Sequence, residues 1–146
     1  MSDSNLARFA RPTIAVVGGG NGTYTAAADL TLAGYDVRFL PGSAERHADV
    51  LRTRTITISG LGRTGTAEPQ LVSTAARAVV EGADIVICTD PAFTQPVRAA
   101  TIAPHLNDGQ IVLLSPGSLG SYLVASTVRR LGNPADVTYV EPGTLP

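Results

Sequence analysis

The stretch that decides the fold is Ile14-Ala15-Val16-Val17-Gly18-Gly19-Gly20-Asn21-Gly22-Thr23. An apolar, β-branched run ends abruptly at a cluster of glycines, and a segment of small residues with helical character, Tyr24 to Ala33, follows at once. This order predicts a strand, a tight turn and the start of a helix. Glycines in such a turn let the backbone approach phosphates, and the helix N-terminus offers unpaired N–H groups. The stretch is therefore typical of a site for a dinucleotide pyrophosphate.

The composition suits one domain with a buried sheet. The chain has 146 residues, of which 44% are hydrophobic and 16% are charged, and its formal net charge is −1. This balance gives no indication of a nucleic-acid or membrane partner. The single cysteine, Cys88, excludes an intrachain disulfide and favours a reducing compartment. Because residues 1–12 lack the apolar segment of a signal peptide, we expect a cytoplasmic protein.

Strands and helices are predicted to alternate along the whole chain. The strands are expected at residues 13–17, 35–40, 71–73, 83–88, 110–114 and 136–140, and the helices near 21–33, 44–52, 75–81, 96–105 and 121–131. Residues 53–60 alternate between apolar and polar side chains, and Gly60, Gly62 and Gly65 follow before residues 66–69, which predicts a small inserted β-hairpin. This pattern predicts an α/β fold of Rossmann type, with a doubly wound, mostly parallel sheet. Residues 1–12 would be an N-terminal arm, and residues 13–146 the dinucleotide-binding domain.

Ligands of such sheets bind beyond the carboxyl ends of the strands. Four loops of suitable composition are expected to meet at that edge. They supply the predicted cofactor-binding residues Gly18, Gly19, Gly20, Asn21, Gly22, Thr23, Ser43, Arg46, Thr89, Asp90, Pro91, Ser115, Pro116 and Gly117. We assign no catalytic residue and no metal ligand. Cys88 is interpreted as a small buried hydrophobe, and His105 as a surface or helix-end residue.

The end of the second predicted strand bears on the choice of cofactor. Folds that prefer NAD usually place an acidic residue there to bind the ribose 2′-hydroxyl. This chain instead has Leu40-Pro41-Gly42-Ser43, with Arg46 close behind. Ser43 and Arg46 favour NADP(H), with NAD(H) as the alternative. The other interpretation of these residues is that Ser43 caps the next helix while Arg46 and His47 face solvent.

Several short stretches carry a resemblance to a known family. They are Val17-Gly18-Gly19-Gly20-Asn21-Gly22, Asp29 to Val37, Ile56 to Gly60, Gly82 to Val86, Pro91-Ala92-Phe93, Ala103 to Gln110, Ser115-Pro116-Gly117, Glu141 and Thr144-Leu145-Pro146. Together they make the chain similar to the N-terminal domain of the opine dehydrogenase family, the octopine and nopaline type. The resemblance covers nearly all of residues 13–146. Ketopantoate reductases and glycerol-3-phosphate dehydrogenases share the fold.

The resemblance implies a chemistry. Opine dehydrogenases reduce the imine formed between a 2-oxo acid and the amino group of an amino acid or related amine, with NAD(P)H as hydride donor. Thr23 departs from the pattern, because it replaces the third glycine of the usual fingerprint. The family's proton-transfer histidine lies in a C-terminal helical domain beyond the Thr-Leu-Pro segment. The chain is thus expected to be a truncated or naturally separate cofactor-binding part, inactive alone, whose partner is that helical domain or a second copy.

Two other classes remain open. A non-catalytic module that senses or reports the dinucleotide would use the same pocket. The cofactor domain of an enzyme like ketopantoate reductase or glycerol-3-phosphate dehydrogenase would share the same fold. An FAD site is less favoured, because it generally uses the missing acidic residue at the second strand. A P-loop is disfavoured, because no Lys-Ser/Thr pair follows the glycines.

Overall fold

The structure is a computed structural model that describes residues 10–143. Most of the predicted N-terminal arm, residues 1–9, and the Thr144-Leu145-Pro146 segment lie outside the described residues. In chain order the elements are β1 (Thr13–Val17), α1 (Asn21–Leu32), β2 (Asp36–Leu40), α2 (Ala48–Thr53), β3 (Ile56–Ile58), β4 (Gly65–Ala67), β5 (Leu71–Val72), α3 (Ala76–Val80), β6 (Ile85–Cys88), α4 (Gln95–Ile102), β7 (Ile111–Leu114), α5 (Gly120–Arg130) and β8 (Thr138–Val140). Short 3-10 turns at Ala92–Thr94 and Ala103–His105 flank α4.

Six strands form one sheet in the order β5-β2-β1-β6-β7-β8. Every pairing in this sheet is parallel. When the six strands of this sheet alone are numbered in chain order, their spatial order is 3-2-1-4-5-6. This is the strand order of a doubly wound dinucleotide-binding fold. The remaining two strands, β3 and β4, pair antiparallel as a small hairpin that packs on α1. The predicted Rossmann-type sheet and its inserted hairpin are both confirmed.

The sheet is covered on both faces, which explains why its strands are almost continuously apolar. On one face α1, α2 and the hairpin enclose a core that includes Phe39, Val16 and Val37. On the other face α3, α4 and α5 enclose a core that includes Ile102 and Leu114. Small side chains on α1, such as the fully buried Ala27 and Ala28, let that helix lie close to the sheet.

The structure corrects several predicted boundaries. Residues 44–47 form turns, so the second helix begins at Ala48 rather than near residue 44. The helix predicted at 96–105 starts at Gln95 and tightens into a 3-10 turn at Ala103–His105. Pro104 lies in that turn and has no backbone N–H to continue an α-helix. The last strand begins at Thr138, two residues later than predicted.

Strand register brings the site together. Val17 of β1 is level with Leu40 of β2 and with Cys88 of β6, and Cys88 is level with Leu114 of β7. Four strands therefore end at the same height on one edge of the sheet. The loops that follow them contain the predicted cofactor-binding residues, and the sheet's order reverses between β1 and β6 at this edge. Such a switch point is where this fold class binds ligands.

Candidate functional site

The three consecutive glycines after β1 have different surroundings. Gly18 has φ +141°, and a Cβ atom there would lie 2.5 Å from Thr23 Oγ1 and 2.6 Å from Asp90 Oδ1. A Cβ on Gly19 would lie 2.6 Å from His47 Nε2. Gly20, in contrast, has nothing within 4 Å of that position. The first two glycines are therefore required by close packing, whereas Gly20 faces open space.

The N-terminus of α1 has the features of an anion-binding helix start. Gly20 is the N-cap residue, no side chain caps the helix, and the first turn contains no acidic residue. The carbonyl of Gly20 accepts the N–H groups of Thr23 and Tyr24 at 3.0 and 3.1 Å. The N–H groups at the start of a helix have no partner within the helix, and the helix dipole favours negative charge there. A phosphate group above Gly20 fits this arrangement.

The side chain of Thr23 serves the fold. It is fully buried, and its hydroxyl oxygen lies 2.7 Å from that of Thr89 in the loop after β6. The hydroxyl therefore joins α1 to that loop and does not face the cleft. Asn21, on the same turn, is exposed, and a Cβ atom on Gly22 would lie in van der Waals range of Thr89.

A cleft of about 560 Å³ opens beside the glycine turn. Its volume is in the range of small-molecule and cofactor sites. Three of the four predicted loops contribute to it. The lining residues are Gly19, Gly20, Gly42, Ser43, Arg46, His47, Asp90, Pro91, Phe93, Thr94 and Arg98.

Ser43 and Arg46 both line this cleft and are both exposed. The Ser43 hydroxyl oxygen accepts the backbone N–H of Arg46 at 3.3 Å, and the Ser43 carbonyl accepts the N–H of His47 at 3.2 Å. These bonds shape the turn that precedes α2. Ser43 thus stabilises this turn but does not cap the next helix, whose N-cap residue is His47 with no side-chain cap. Its position in the cleft also leaves it accessible to a ligand.

Sequence reasoning missed His47, which is half-buried in the cleft wall. Its Nδ1 atom lies 2.7 Å from the hydroxyl oxygen of Tyr24 on α1. The Tyr24 ring meets Phe39 edge-on, with ring centroids 5.0 Å apart. Burial raises the pKa of Tyr24 above its ordinary value of 10.0, so the phenol keeps its proton at neutral pH. No spacing rule joins Tyr24 to His47, so only the folded structure reveals the pair.

Arg98 is another cleft residue that was not predicted from the sequence. Its Nε atom donates to Asp90 Oδ2 at 2.5 Å, and the two side chains are only 13% and 7% exposed. Asp90 was predicted as a cofactor-binding residue, and the structure places its carboxylate against Gly18 and Arg98. Pro91, the next residue in this loop, is exposed and lines the cleft.

The loop after β7 has a different environment. Ser115 and Gly117 are buried, and the three predicted residues Ser115, Pro116 and Gly117 do not line the cleft. Gly117 packs so closely on Glu141 that a Cβ atom would collide with that side chain. The Glu141 carboxylate accepts the Ser121 backbone N–H at 3.0 Å, at the start of α5. An internal carboxylate therefore occupies the position that a phosphate would take at this second helix.

Two other residues can be placed. Burial raises the pKa of the Cys88 thiol to about 12, which leaves it protonated and inert at neutral pH. His105 is half-buried at the end of a 3-10 turn, away from the cleft. Within residues 10–143 no helix is long and apolar enough to cross a membrane.

The chain is similar in sequence to opine and octopine dehydrogenases. No family model matches the chain. The opine dehydrogenase of Arthrobacter sp. (strain 1C) is 32% identical over 133 residues, which cover 91% of this chain and 37% of that protein. The octopine dehydrogenase of Mizuhopecten yessoensis is 28% identical over 116 residues, which cover 73% of this chain and 29% of that protein. This chain is related to the N-terminal part of the opine dehydrogenases.

Solved structures share the fold of this opine dehydrogenase-like domain. Octopine dehydrogenase with NADH and pyruvate superposes with a TM-score of 0.76 at 24% identity, over 92% of this chain and 36% of that one. Yersinopine dehydrogenase with NADP+ gives 0.60 at 19% identity, over 88% and 34%. A ketopantoate reductase from Ralstonia eutropha JMP134 gives 0.65 at 19% identity, over 87% and 39%.

The chain spans between 29% and 37% of the length of the two curated relatives. It corresponds to their nucleotide-binding part. The resemblance stated from short sequence stretches is thereby confirmed over most of the chain.

Proposed function

We propose that this chain binds NADP(H) and forms the cofactor-binding part of an opine-type dehydrogenase. The observation that carries the proposal is the uncapped start of α1 beside Gly20, whose Cβ direction is open. Backbone N–H groups there would hold the pyrophosphate of the dinucleotide. Relatives with NADH and with NADP+ bound support a nicotinamide dinucleotide as the class of ligand.

The preference for NADP(H) rests on the end of β2. This strand ends in Leu40, and the following cleft residues Ser43, Arg46 and His47 are hydrogen-bond donors or cations. The carboxylate of this turn, Glu45, is exposed and does not line the cleft. Asp90 lines the other side of the cleft, but its charge is paired with Arg98. A 2′-phosphate would therefore meet donors on the β2 side.

In the whole enzyme, the dinucleotide supplies a hydride to the imine formed from a 2-oxo acid and an amine. This chain's residues bind and orient the hydride donor. Glycine packing at Gly18 and Gly19 fixes the path of the backbone below the pyrophosphate. The relatives are longer than this chain, and we assign proton transfer to the part of the enzyme that lies beyond the matched region. The 146-residue chain is therefore expected to bind cofactor without turnover.

An exposed apolar surface supports a second domain as the partner. Phe93, Val97, Leu119 and Tyr122 are between 71% and 83% exposed. They flank the contact at which Gln95 packs on Gly120 and donates to the Gly117 carbonyl at 3.0 Å. This surface lies at the strand edge where the cleft opens. We propose that the catalytic domain of an opine-type dehydrogenase packs here in cis.

The pyrophosphate site is tested by comparing Gly20→Asp with Gly20→Asn. Both side chains project into open space, and both residues are good N-caps, so both variants should fold. The aspartate places a negative charge against the pyrophosphate, whereas asparagine is nearly the same size and neutral. We expect Gly20→Asp to abolish NADPH binding measured by calorimetry, and Gly20→Asn to reduce it far less. Equal NADPH affinity in both variants would mean that the glycine cluster is only a structural turn.

The cofactor preference and the lack of turnover need separate measurements. NADPH and NADH affinities are compared in one buffer, and tighter NADH binding would contradict the preference.

Turnover is tested by mixing the chain with 2-oxo acids, amines and NADPH. Reduction of such a mixture by this chain alone would contradict the assignment of proton transfer to another domain.

A further inference from the structure

Two hydrogen-bond donors converge on Gly42, just beyond the end of β2. A Cβ atom built on Gly42 would lie 3.7 Å from His47 Nε2 and 3.8 Å from Arg98 Nη2. It would also lie 3.7 Å from Gly19 Cα, so the glycine turn forms the third side of the same space. Gly42, His47 and Arg98 all line the cleft, so both donors border the same part of it.

Each donor is held from its far side by a residue on another element. The Tyr24 hydroxyl, whose proton is retained, pairs with His47 Nδ1 at 2.7 Å. When Tyr24 donates this bond, the proton of the neutral imidazole is on Nε2, the atom that faces Gly19 and Gly42. On the other side, Asp90 Oδ2 accepts the Arg98 Nε proton. The hydrogen bonds found within residues 10–143 leave the Nη atoms of Arg98 without a protein acceptor.

We propose that His47 Nε2 and Arg98 Nη2 together bind the phosphate on the adenosine 2′-oxygen of NADP(H), and that Tyr24 and Asp90 are their positioning residues. The proposal rests on the proposed function, because it assumes that a dinucleotide lies in this cleft. The end of the second strand is the place where doubly wound folds recognise the adenosine ribose. An acidic residue there would accept bonds from ribose hydroxyls, whereas His47 Nε2 and Arg98 Nη2 near Gly42 are donors, which suit a phosphate with several acceptor oxygens.

Burial distinguishes these donors from Arg46. The Arg98 side chain is 13% exposed, whereas Arg46 belongs to the exposed residues of the turn. A charge-assisted bond is stronger where water is partly excluded, and exposed charges in water contribute little. Asp90 offsets the formal charge of Arg98, but it does so through Nε and leaves the outer N–H groups directed into the cleft. We therefore expect His47 and Arg98, more than Arg46, to decide between the two cofactors.

The test uses two small probes that differ by the phosphate in question. Binding of adenosine 2′,5′-bisphosphate and of adenosine 5′-monophosphate to the full chain is measured by calorimetry. His47→Asn keeps an acceptor near the Nδ1 position for Tyr24 but removes the Nε2 donor, whereas His47→Gln retains an N–H near Nε2. Loss of one hydrogen bond to a charged group predicts an affinity for the bisphosphate about 10-fold weaker in His47→Asn. The monophosphate affinity should change little, and His47→Gln should recover most of the loss.

The positioning residues give a second readout. Tyr24→Phe keeps the ring against Phe39 but releases His47, and we expect a smaller loss in the same direction. Arg98→Lys keeps a charge beside Asp90 while removing the outer fork, and it should weaken bisphosphate binding about 10-fold, since the planar fork binds phosphate better than an ammonium. Arg52→Gln, an exposed charge change on α2 outside the cleft, is the matched control and should behave as wild type.

The outcomes separate the two proposals. If the wild-type chain binds neither dinucleotide nor either probe, the proposed function fails. If it binds NADPH but His47→Asn and Arg98→Lys weaken both probes equally or not at all, only the assignment of the 2′-phosphate donors fails. A loss in Arg52→Gln as large as in Arg98→Lys would also overturn that assignment, because a residue outside the cleft would then matter as much as Arg98. Circular dichroism of each variant establishes that the comparison is made between folded chains.

Discussion

The hydroxyl oxygens of Thr23 and Thr89 lie 2.7 Å apart and join the first turn of α1 to the loop after β6. Residue 23 is where the usual dinucleotide fingerprint has its third glycine, which allows close packing of helix and strand. Here a threonine fills that position, fully buried, and bonds across to the neighbouring strand's loop. A glycine at this position would allow close packing because it has no side chain. In this chain the threonine hydroxyl instead joins the helix to the sheet by a hydrogen bond.

Replacing Thr23 by valine tests this structural role. Valine has a similar shape but leaves the Thr89 hydroxyl without its partner, which should lower the free energy of unfolding by about 1–2 kcal/mol. NADPH affinity should stay close to that of wild type, because the Thr23 hydroxyl does not face the cleft. Urea denaturation and calorimetry measure the two effects. A large loss of NADPH affinity without loss of stability would instead make Thr23 a phosphate ligand.

Gly18→Ala should be far more damaging than a substitution at Gly20. The new methyl group would collide with Thr23 Oγ1 and Asp90 Oδ1. Thr23 is held by its bond to Thr89, and Asp90 is held through Oδ2 by Arg98. The φ of +141° is also unfavourable for alanine. Overpacking and backbone strain together predict a loss of about 3 kcal/mol or more. Gly20→Ser is the control, because its side chain meets open space and serine is a good N-cap. Thermal unfolding followed by circular dichroism distinguishes them, and equal melting temperatures would contradict the packing argument.

Asp90→Asn should destabilise the chain by removing one member of a buried ion pair. The variant leaves the Arg98 charge in a site where its side chain is 13% exposed, at an expected cost of about 3 kcal/mol. Combining it with Arg98→Met removes both charges, so the double variant should lose less stability than the sum of the single variants. Urea denaturation of the four chains gives this coupling. Additive losses would show that the two side chains act independently.

Much of the fold could be predicted because its signals are local. Val16 and Val17 followed by Gly18 indicate a strand that ends in a turn, and the run from Ala83 to Cys88 indicates a central strand. The order of alternating elements then leaves few topologies. Boundaries that depend on tertiary contacts were less accurate. Residues 44–47, for example, form turns in which Ser43 accepts the N–H groups of Arg46 and His47. The sequence alone does not distinguish such turns from the first turn of a helix.

The candidate site was only partly predictable for the same reason. Loops at strand ends could be located, but which of their side chains face the cleft is decided by contacts between distant residues. His47 depends on Tyr24 and Arg98 depends on Asp90, and neither pair has a characteristic spacing. The loop at Ser115 to Gly117 has suitable composition, yet Glu141 from after the last strand covers its helix start. That contact joins elements whose proximity follows only from the complete sheet.

Cys88 provides a pH-dependent test of the buried core. Burial is the main cause that raises the pKa of its thiol to about 12, from an ordinary value of 9.0, and nearby Asp90 also raises it while Arg98 lowers it. The folded chain therefore keeps this proton where the unfolded chain loses it. Stability from this difference is present in full below about pH 9 and is lost as pH rises towards 12.

Cys88→Val isolates this effect, because valine is apolar and does not titrate. The chain contains no lysine, and wild type and variant share every other ionisable side chain, so a difference between their pH profiles is due to residue 88. We expect the free energy of unfolding to fall more steeply between pH 9 and 11 in wild type than in Cys88→Val. At pH 8 the wild-type thiol should also react with iodoacetamide only after denaturation in urea. Rapid labelling of the folded chain, or identical pH slopes, would mean that the β6 end is open to solvent.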